Sequence, residues 1–129
     1  MKVGHIHHIA INTKDIDESI RFYRDTLGLK QGETVQMDEF ALTYFEVPGG
    51  GSLELFDYKG QNPKVKRADE EVGLRHIAFT VEDVAQHEKE LREAGVTITL
   101  PTTELPSLGA RVLLFLDPND VTVEFCEDL

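Results

Sequence analysis

The 129-residue chain has one cysteine, Cys126. A lone thiol excludes an internal disulfide, and the expected setting is a reducing, cytoplasmic one. Long apolar runs are also missing. No stretch approaches the roughly 20 residues that span a bilayer, so no membrane partner is expected. The first residues, Met1-Lys2-Val3-Gly4-His5, lack the apolar core of a secretory leader. Basic charge is scarce: 13 Lys and Arg stand against 24 Asp and Glu, for a net charge of -11. Nucleic acid, whose phosphates need a basic surface, is excluded as a partner. The acidity serves solubility. The basic residues are uneven, with Lys59, Lys64, Lys66 and Arg67 gathered in one mid-chain segment.

Hydrophobic and charged contents of 40% and 29% are ordinary for a globular protein. At this length the chain is one compact domain, or two small half-domains sharing a core. It repeats itself. His8-Ile9-Ala10-Ile11-Asn12-Thr13-Lys14-Asp15 returns as His76-Ile77-Ala78-Phe79-Thr80-Val81-Glu82-Asp83. Each copy closes on an apolar strand with one carboxylate inside it, Leu53-Glu54-Leu55 and Val123-Glu124-Phe125. A repeat that preserves its polar outliers along with its apolar pattern points to half of a site carried twice.

Within the first copy, 6–11 is a run of strand length. Asp15, with Glu18 three residues on, forms a capping box for a helix whose Ile16, Ile20, Tyr23 and Leu27 share one face, and Gly28 ends it. Three strand-like runs follow, 29–37, 40–47 and 52–56, broken at Asp38-Glu39 and at Pro48-Gly49-Gly50-Gly51. The second copy follows suit. A strand over 74–81 precedes a helix capped by Asp83, which carries Val84, Glu88, Leu91 and Ala94 and ends at Gly95. Strands over 96–100, 110–116 and 121–126 complete it. Each unit therefore reads as β-α-β-β-β, giving an α+β fold. Module 1 spans about 3–57 and module 2 about 73–129, in a single domain, with a polar, Lys-rich linker over 58–72.

Strand alternation then places the polar residues. With Ile9, Ile11, Ile77, Phe79, Leu53, Leu55, Val123 and Phe125 packed on the helices, His8, His76, Glu54 and Glu124 face the other way. If the two sheets curve toward one another, that face lines a shared cavity. Two imidazoles and two carboxylates form a divalent-metal set, with carboxylate oxygen neutralising the cation. Ala10 and Ala78 beside them leave room. His7 has the opposite parity to His8 and is expected to be packed or at a sheet edge. His5 shares its parity, and His87 belongs to the second helix. None of these three is expected to be a ligand.

These residues resemble the vicinal oxygen chelate superfamily, which includes glyoxalase I, methylmalonyl-CoA epimerase, extradiol dioxygenases and bleomycin-resistance proteins. The likeness is carried by His8-Ile9-Ala10-Ile11 with Asp15, by Phe22-Tyr23-Arg24-Asp25-Thr26-Leu27-Gly28 and by Leu53-Glu54-Leu55. In the second half it is carried by Gly73-Leu74-Arg75-His76-Ile77-Ala78-Phe79 and by Asp117-Pro118-Asn119 before Glu124. It implies paired modules forming a curved, barrel-like mixed sheet with helices outside. It implies a divalent ion (Ni, Zn, Co, Mn or Fe) held by His8, Glu54, His76 and Glu124. Such an ion acts as a Lewis acid that makes a proton next to a carbonyl removable through an enediolate, with Glu54 or Glu124 as the catalytic base.

Two His and two Glu resemble glyoxalase I, a lactoylglutathione lyase, most closely; epimerases of the family tend to carry Gln in place of Glu54. The glutathione anchors of bacterial glyoxalase I are not matched, since Asn12 stands where they have Arg and Tyr58 where they have Asn. Arg75, Arg111 and the basic segment are alternatives for holding a carboxylate or phosphate. Tyr44, Met37 and the 101–109 loop are expected to line the pocket. The expected partners are a small-molecule substrate and a second copy of the chain in a homodimer. An extradiol-type dioxygenase would use His8, His76 and Glu124 as its iron triad, and Glu54 tells against it. A non-catalytic antibiotic-binding protein would not need the four ligands.

Overall fold

The computed structural model describes residues 1–65 and 68–129. Lys66 and Arg67 of the basic segment lie outside the described residues. The chain divides into two compact units, Met1–Lys64 and Val65–Leu129.

In the first unit β1 (His8–Thr13) leads to α1 (Ile16–Ile20), which widens without a break into a π-helical turn over Arg21–Thr26. The start follows from the sequence: the Asp15 side chain accepts the Glu18 N–H at 3.2 Å, satisfying one of the amides a helix leaves open. The widening is marked by Leu27 N–H donating to Phe22 at 2.9 Å. It turns both Phe22 and Tyr23 inward, and both are buried. The strands β2 (Lys30–Gln36), β3 (Ala41–Glu46) and β4 (Ser52–Asp57) follow, and the sheet order is β1-β4-β3-β2. β1 lies parallel to β4 and the other pairs are antiparallel.

The second unit repeats this with β5 (Ile77–Thr80), α2 (Val84–Glu93), β6 (Ile98–Leu105), β7 (Ala110–Leu116) and β8 (Thr122–Asp128), in the order β5-β8-β7-β6. Asp83 caps α2 by accepting Gln86 N–H at 3.0 Å. The expected β-α-β-β-β module is therefore present twice. Among the described residues each sheet bonds only within itself, and the strands do not close into a barrel. The 101–109 segment differs from the expected loop: β6 runs to Leu105, and only Pro106–Leu108 forms a 3-10 turn. Pro101 is tolerated because the register with β7 shifts between Leu100 and Thr103, where no ladder hydrogen bond is required of it.

Each core lies between helix and sheet. In the first unit Tyr23 meets Phe45 at a ring separation of 6.3 Å, and Phe45 pairs across the strands with Leu53. Cross-strand partners share a face, so Leu53 and Leu55 also point at the helix, and both are buried. In the second unit Phe115 and Phe125 meet edge-on at 4.9 Å, and Val123 and the α2 residues Val84 and Leu91 are also buried. Full burial of each such side chain contributes roughly 1.5–3 kcal/mol. The intervening residues, Glu54 and Glu124, face away from the helices.

Candidate metal centre

The two His–Glu pairs share one register. Ala10 pairs with Glu54 in the first unit and Ala78 with Glu124 in the second, and the histidine precedes the alanine by two residues in both. The parallel pairing of the first and last strand of each unit therefore carries histidine and carboxylate to the same place. His8 Nε2 lies 3.0 Å from Glu54 Oε2, and His76 Nε2 lies 2.8 Å from Glu124 Oε2.

Gly51 helps to set the first pair. Its φ is +79°, and a β-carbon there would come within 2.9 Å of the Ile6 carbonyl oxygen. The close approach lets Ser52 N–H donate to the His7 carbonyl at 3.1 Å, which ties the chain entering β1 to the start of β4. Only glycine combines that backbone conformation with that space.

The surroundings of the pairs differ. Glu54 is 10% exposed at its side chain and His8 44%, whereas Glu124 is 15% exposed and His76 27%. Directly across from Glu54 stands Tyr44. Its hydroxyl is pushed above its ordinary pKa by burial, then by its hydrogen bond to Glu54 and the charges of Glu54 and Glu33. Across from Glu124 stands Leu114, which offers no hydrogen bond. His8 Nδ1 lies 2.9 Å from His7 Nδ1. His76 Nδ1 is buried with no hydrogen-bond partner among the described residues.

Each unit thus brings together one expected imidazole and one expected carboxylate. Among the described residues no three His, Cys, Asp or Glu side chains gather around one point. The donor chemistry nonetheless fits a divalent ion. Imidazole nitrogen and carboxylate oxygen are both donors that such ions take. In the metal-free chain the His–Glu contact lets an imidazole N–H satisfy a largely buried carboxylate.

Three expectations change. His7 lies at the edge of its sheet, one of its two expected places, but not on the opposite face from His8: β1, the edge strand, begins at His8, so strand alternation does not govern His7, and its ring meets that of His8 edge-on. The main-chain tie at Gly51 is the feature that marks this boundary. Arg111 is not available to hold a substrate anion. It lies on the α2 side of its sheet, hydrogen-bonded to Glu127 and to Glu104, the latter at 2.6 Å. Glu127 in turn accepts Val84 N–H at 3.2 Å, capping α2 with a buried carboxylate. Arg75 is engaged too, donating to the Asp69 carbonyl at 3.0 Å. His87 bonds to Glu90 at 3.0 Å and rests against Phe125, in keeping with its expected helix position.

A domain with two β-α-β-β-β units, each holding a His–Glu pair, defines a class, and the comparisons agree. The sequence pattern of the Glyoxalase/Bleomycin resistance protein/Dioxygenase superfamily matches residues 5–125, and the chain belongs to that superfamily. It is 30% identical to an ethylmalonyl-CoA/methylmalonyl-CoA epimerase of Cereibacter sphaeroides, over 92% of this chain and 91% of that one. It is 27% identical to a lactoylglutathione lyase of Haemophilus influenzae, over 94% and 90%. A glyoxylase/bleomycin resistance protein/dioxygenase domain from Frankia superposes with a TM-score of 0.83 at 27% identity, over 99% and 100%. No helix among the described residues is long and apolar enough to cross a membrane.

Proposed function

We propose that this protein is a metal-dependent lyase or isomerase of the glyoxalase I type. His8, Glu54, His76 and Glu124 are its ligands to divalent metal, Ni, Zn, Co, Mn or Fe. The substrate is a small 2-oxo compound, thiohemiacetal or thioester. The observation that carries this reading is the same His–Glu pair, in the same register, in both units. A bound ion supplies Lewis acidity, which makes a proton beside a carbonyl removable.

The chain's own residues divide the remaining work. Glu54, held by His8 and by Tyr44, is the more firmly anchored carboxylate. Glu124, with Leu114 opposite, has the freer oxygen and is assigned as the base that moves the proton. We place the protein in the cytoplasm as a homodimer acting on a small molecule.

The test is metal analysis of the purified protein with an assay on methylglyoxal hemithioacetals. Bound divalent metal, lost in Glu54→Gln and His76→Ala, is the expected result. A chain that takes up no metal and turns over no such substrate sinks the reading.

A second reading, epimerisation of a CoA thioester, has its own support. Asn12 and Tyr58 do not match the glutathione anchors, and the relative at 30% identity is an acyl-CoA epimerase. The two reactions share the proton abstraction, so a parallel assay on a branched acyl-CoA separates them by substrate alone.

A further inference from the structure

We propose that His7 is a positioning residue that sets which nitrogen of His8 carries its proton, so that His8 can present a bare Nε2 to a divalent ion. The inference rests on the metal reading above. It starts from two contacts on one imidazole: His8 Nε2 lies 3.0 Å from Glu54 Oε2, and His8 Nδ1 lies 2.9 Å from His7 Nδ1.

A neutral imidazole has one N–H donor and one bare acceptor nitrogen. Without metal, Glu54 is an acceptor only, so the His8 proton belongs on Nε2. His8 Nδ1 is then bare, and His7 must donate to it from its own Nδ1. To give Nε2 to an ion, His8 must carry its proton on Nδ1 instead. His7 permits this because its Nδ1 can accept as readily as donate.

The protons balance. His8 Nε2 releases one to solvent, the Nδ1 proton of His7 crosses to His8 Nδ1, and His7 Nε2 takes one up from solvent. Both rings stay neutral. His7 is exposed, so its far nitrogen is within reach of water.

The second unit has no such device. Arg75 precedes His76 and is turned to Asp69, and His76 Nδ1 is buried with no partner among the described residues. When His76 frees its Nε2, the proton moves to a nitrogen with nothing to receive it. A buried donor left unmet in this way is unfavourable. The half-sites therefore differ in readiness for a cation, with the first prepared by His7.

Two measurements on the full chain test this. The first is nitrogen-15 NMR of the histidine rings at about pH 8.5, where an ordinary imidazole is neutral. The expected metal-free state has the proton of His8 on Nε2 and that of His7 on Nδ1, and adding zinc reverses both. The second is zinc affinity by chelator competition in His7→Leu and His7→Asn. Leucine removes the partner, whereas the Asn Oδ1 takes the place of Nδ1 as acceptor. Affinity should fall roughly 10- to 100-fold in His7→Leu and be rescued in His7→Asn. Equal zinc affinity in wild type and His7→Leu overturns the inference and leaves the metal reading standing. So does a metal-free His8 already protonated at Nδ1. A wild-type chain that takes up no zinc overturns the metal reading, and this inference with it.

Discussion

The two units carry the same His–Glu pair and surround it with different residues. His8 aligns with His76 and Glu54 with Glu124, but His7 corresponds to Arg75 and Tyr44 to Leu114. Behind the sheets the pattern inverts. The place of Asp57, whose side chain accepts the nearby Lys59 N–H at 2.7 Å, is taken in the second unit by Glu127. Glu127 reaches the helix N-terminus and binds Arg111, where the first unit has Ala41. The first unit therefore spends its polar side chains around its His–Glu pair, and the second spends them holding its helix. A duplicated fold keeps the residues its shared chemistry needs and lets the supporting shell diverge.

The sharpest way to break this comparison is to exchange the two carboxylates for amides. If Glu124 is the freer group and moves the proton, Glu124→Gln should lower kcat by roughly 10²- to 10⁴-fold with metal still bound. Glu54→Gln should act mainly through lost metal and recover activity as metal is raised. Steady-state kinetics across a metal titration decides between them. Equal kcat losses at saturating metal would make the half-sites functionally alike.

Stability offers the reverse contrast. Glu127→Ala removes one of the two carboxylates on Arg111 and opens the N-terminus of α2, at a cost of about 2 kcal/mol. Asp57→Ala removes one local hydrogen bond and should cost about 1 kcal/mol. Urea unfolding of both variants measures the gap. Equal values would mean that Glu127 does no more for its unit than Asp57 does.

Much of this was legible in the sequence. The repeat, the helix caps at Asp15 and Asp83 and the facing of Glu54 and Glu124 follow from local rules: capping chemistry and a strand period of two. Those rules stop at element ends. His7 lies one residue before β1, where parity no longer applies, and its meeting with His8 depends on a main-chain tie beside Gly51. Arg111 and Glu127 are joined by a cross-strand register that no single segment contains. The 101–109 segment looked like a loop because proline usually breaks strands, and a register shift absorbs it. The His–Glu pairs were readable because they are repeated. Their supports were not, because each occurs once and is assembled from distant parts of the chain.

Tyr44→Phe sharpens the contrast from the other side. Removing the hydroxyl takes one hydrogen bond from Glu54, worth about 1–2 kcal/mol to a charged acceptor. Zinc affinity should change by about 30-fold or less. The reciprocal Leu114→Phe, which alters shape but no hydrogen bond, should leave it unchanged. A Tyr44→Phe variant identical to wild type in both zinc affinity and kcat would remove Tyr44 from the support of Glu54.

The smallest effect tests whether the second unit's helix has its own acid sensitivity. Glu88 on α2 is held at about 2, well below the ordinary 4.5, by hydrogen bonds from Thr102 and Arg92. Thr102 N–H donates to it at 2.7 Å, which fastens α2 to β6. The corresponding position in α1 is the apolar Ile20, so the first unit has no equivalent charge. A carboxyl whose folded pKa is depressed stabilises the fold fully above its ordinary value, and that contribution fades as pH falls from about 4.5 toward about 2. Glu88→Gln should therefore be less stable than wild type by about 1 kcal/mol at neutral pH. The two unfolding curves should converge through that acidic window. Curves that stay parallel down to the lower limit would show that the Glu88 charge contributes nothing, and that Thr102 and Arg92 bind the amide equally well.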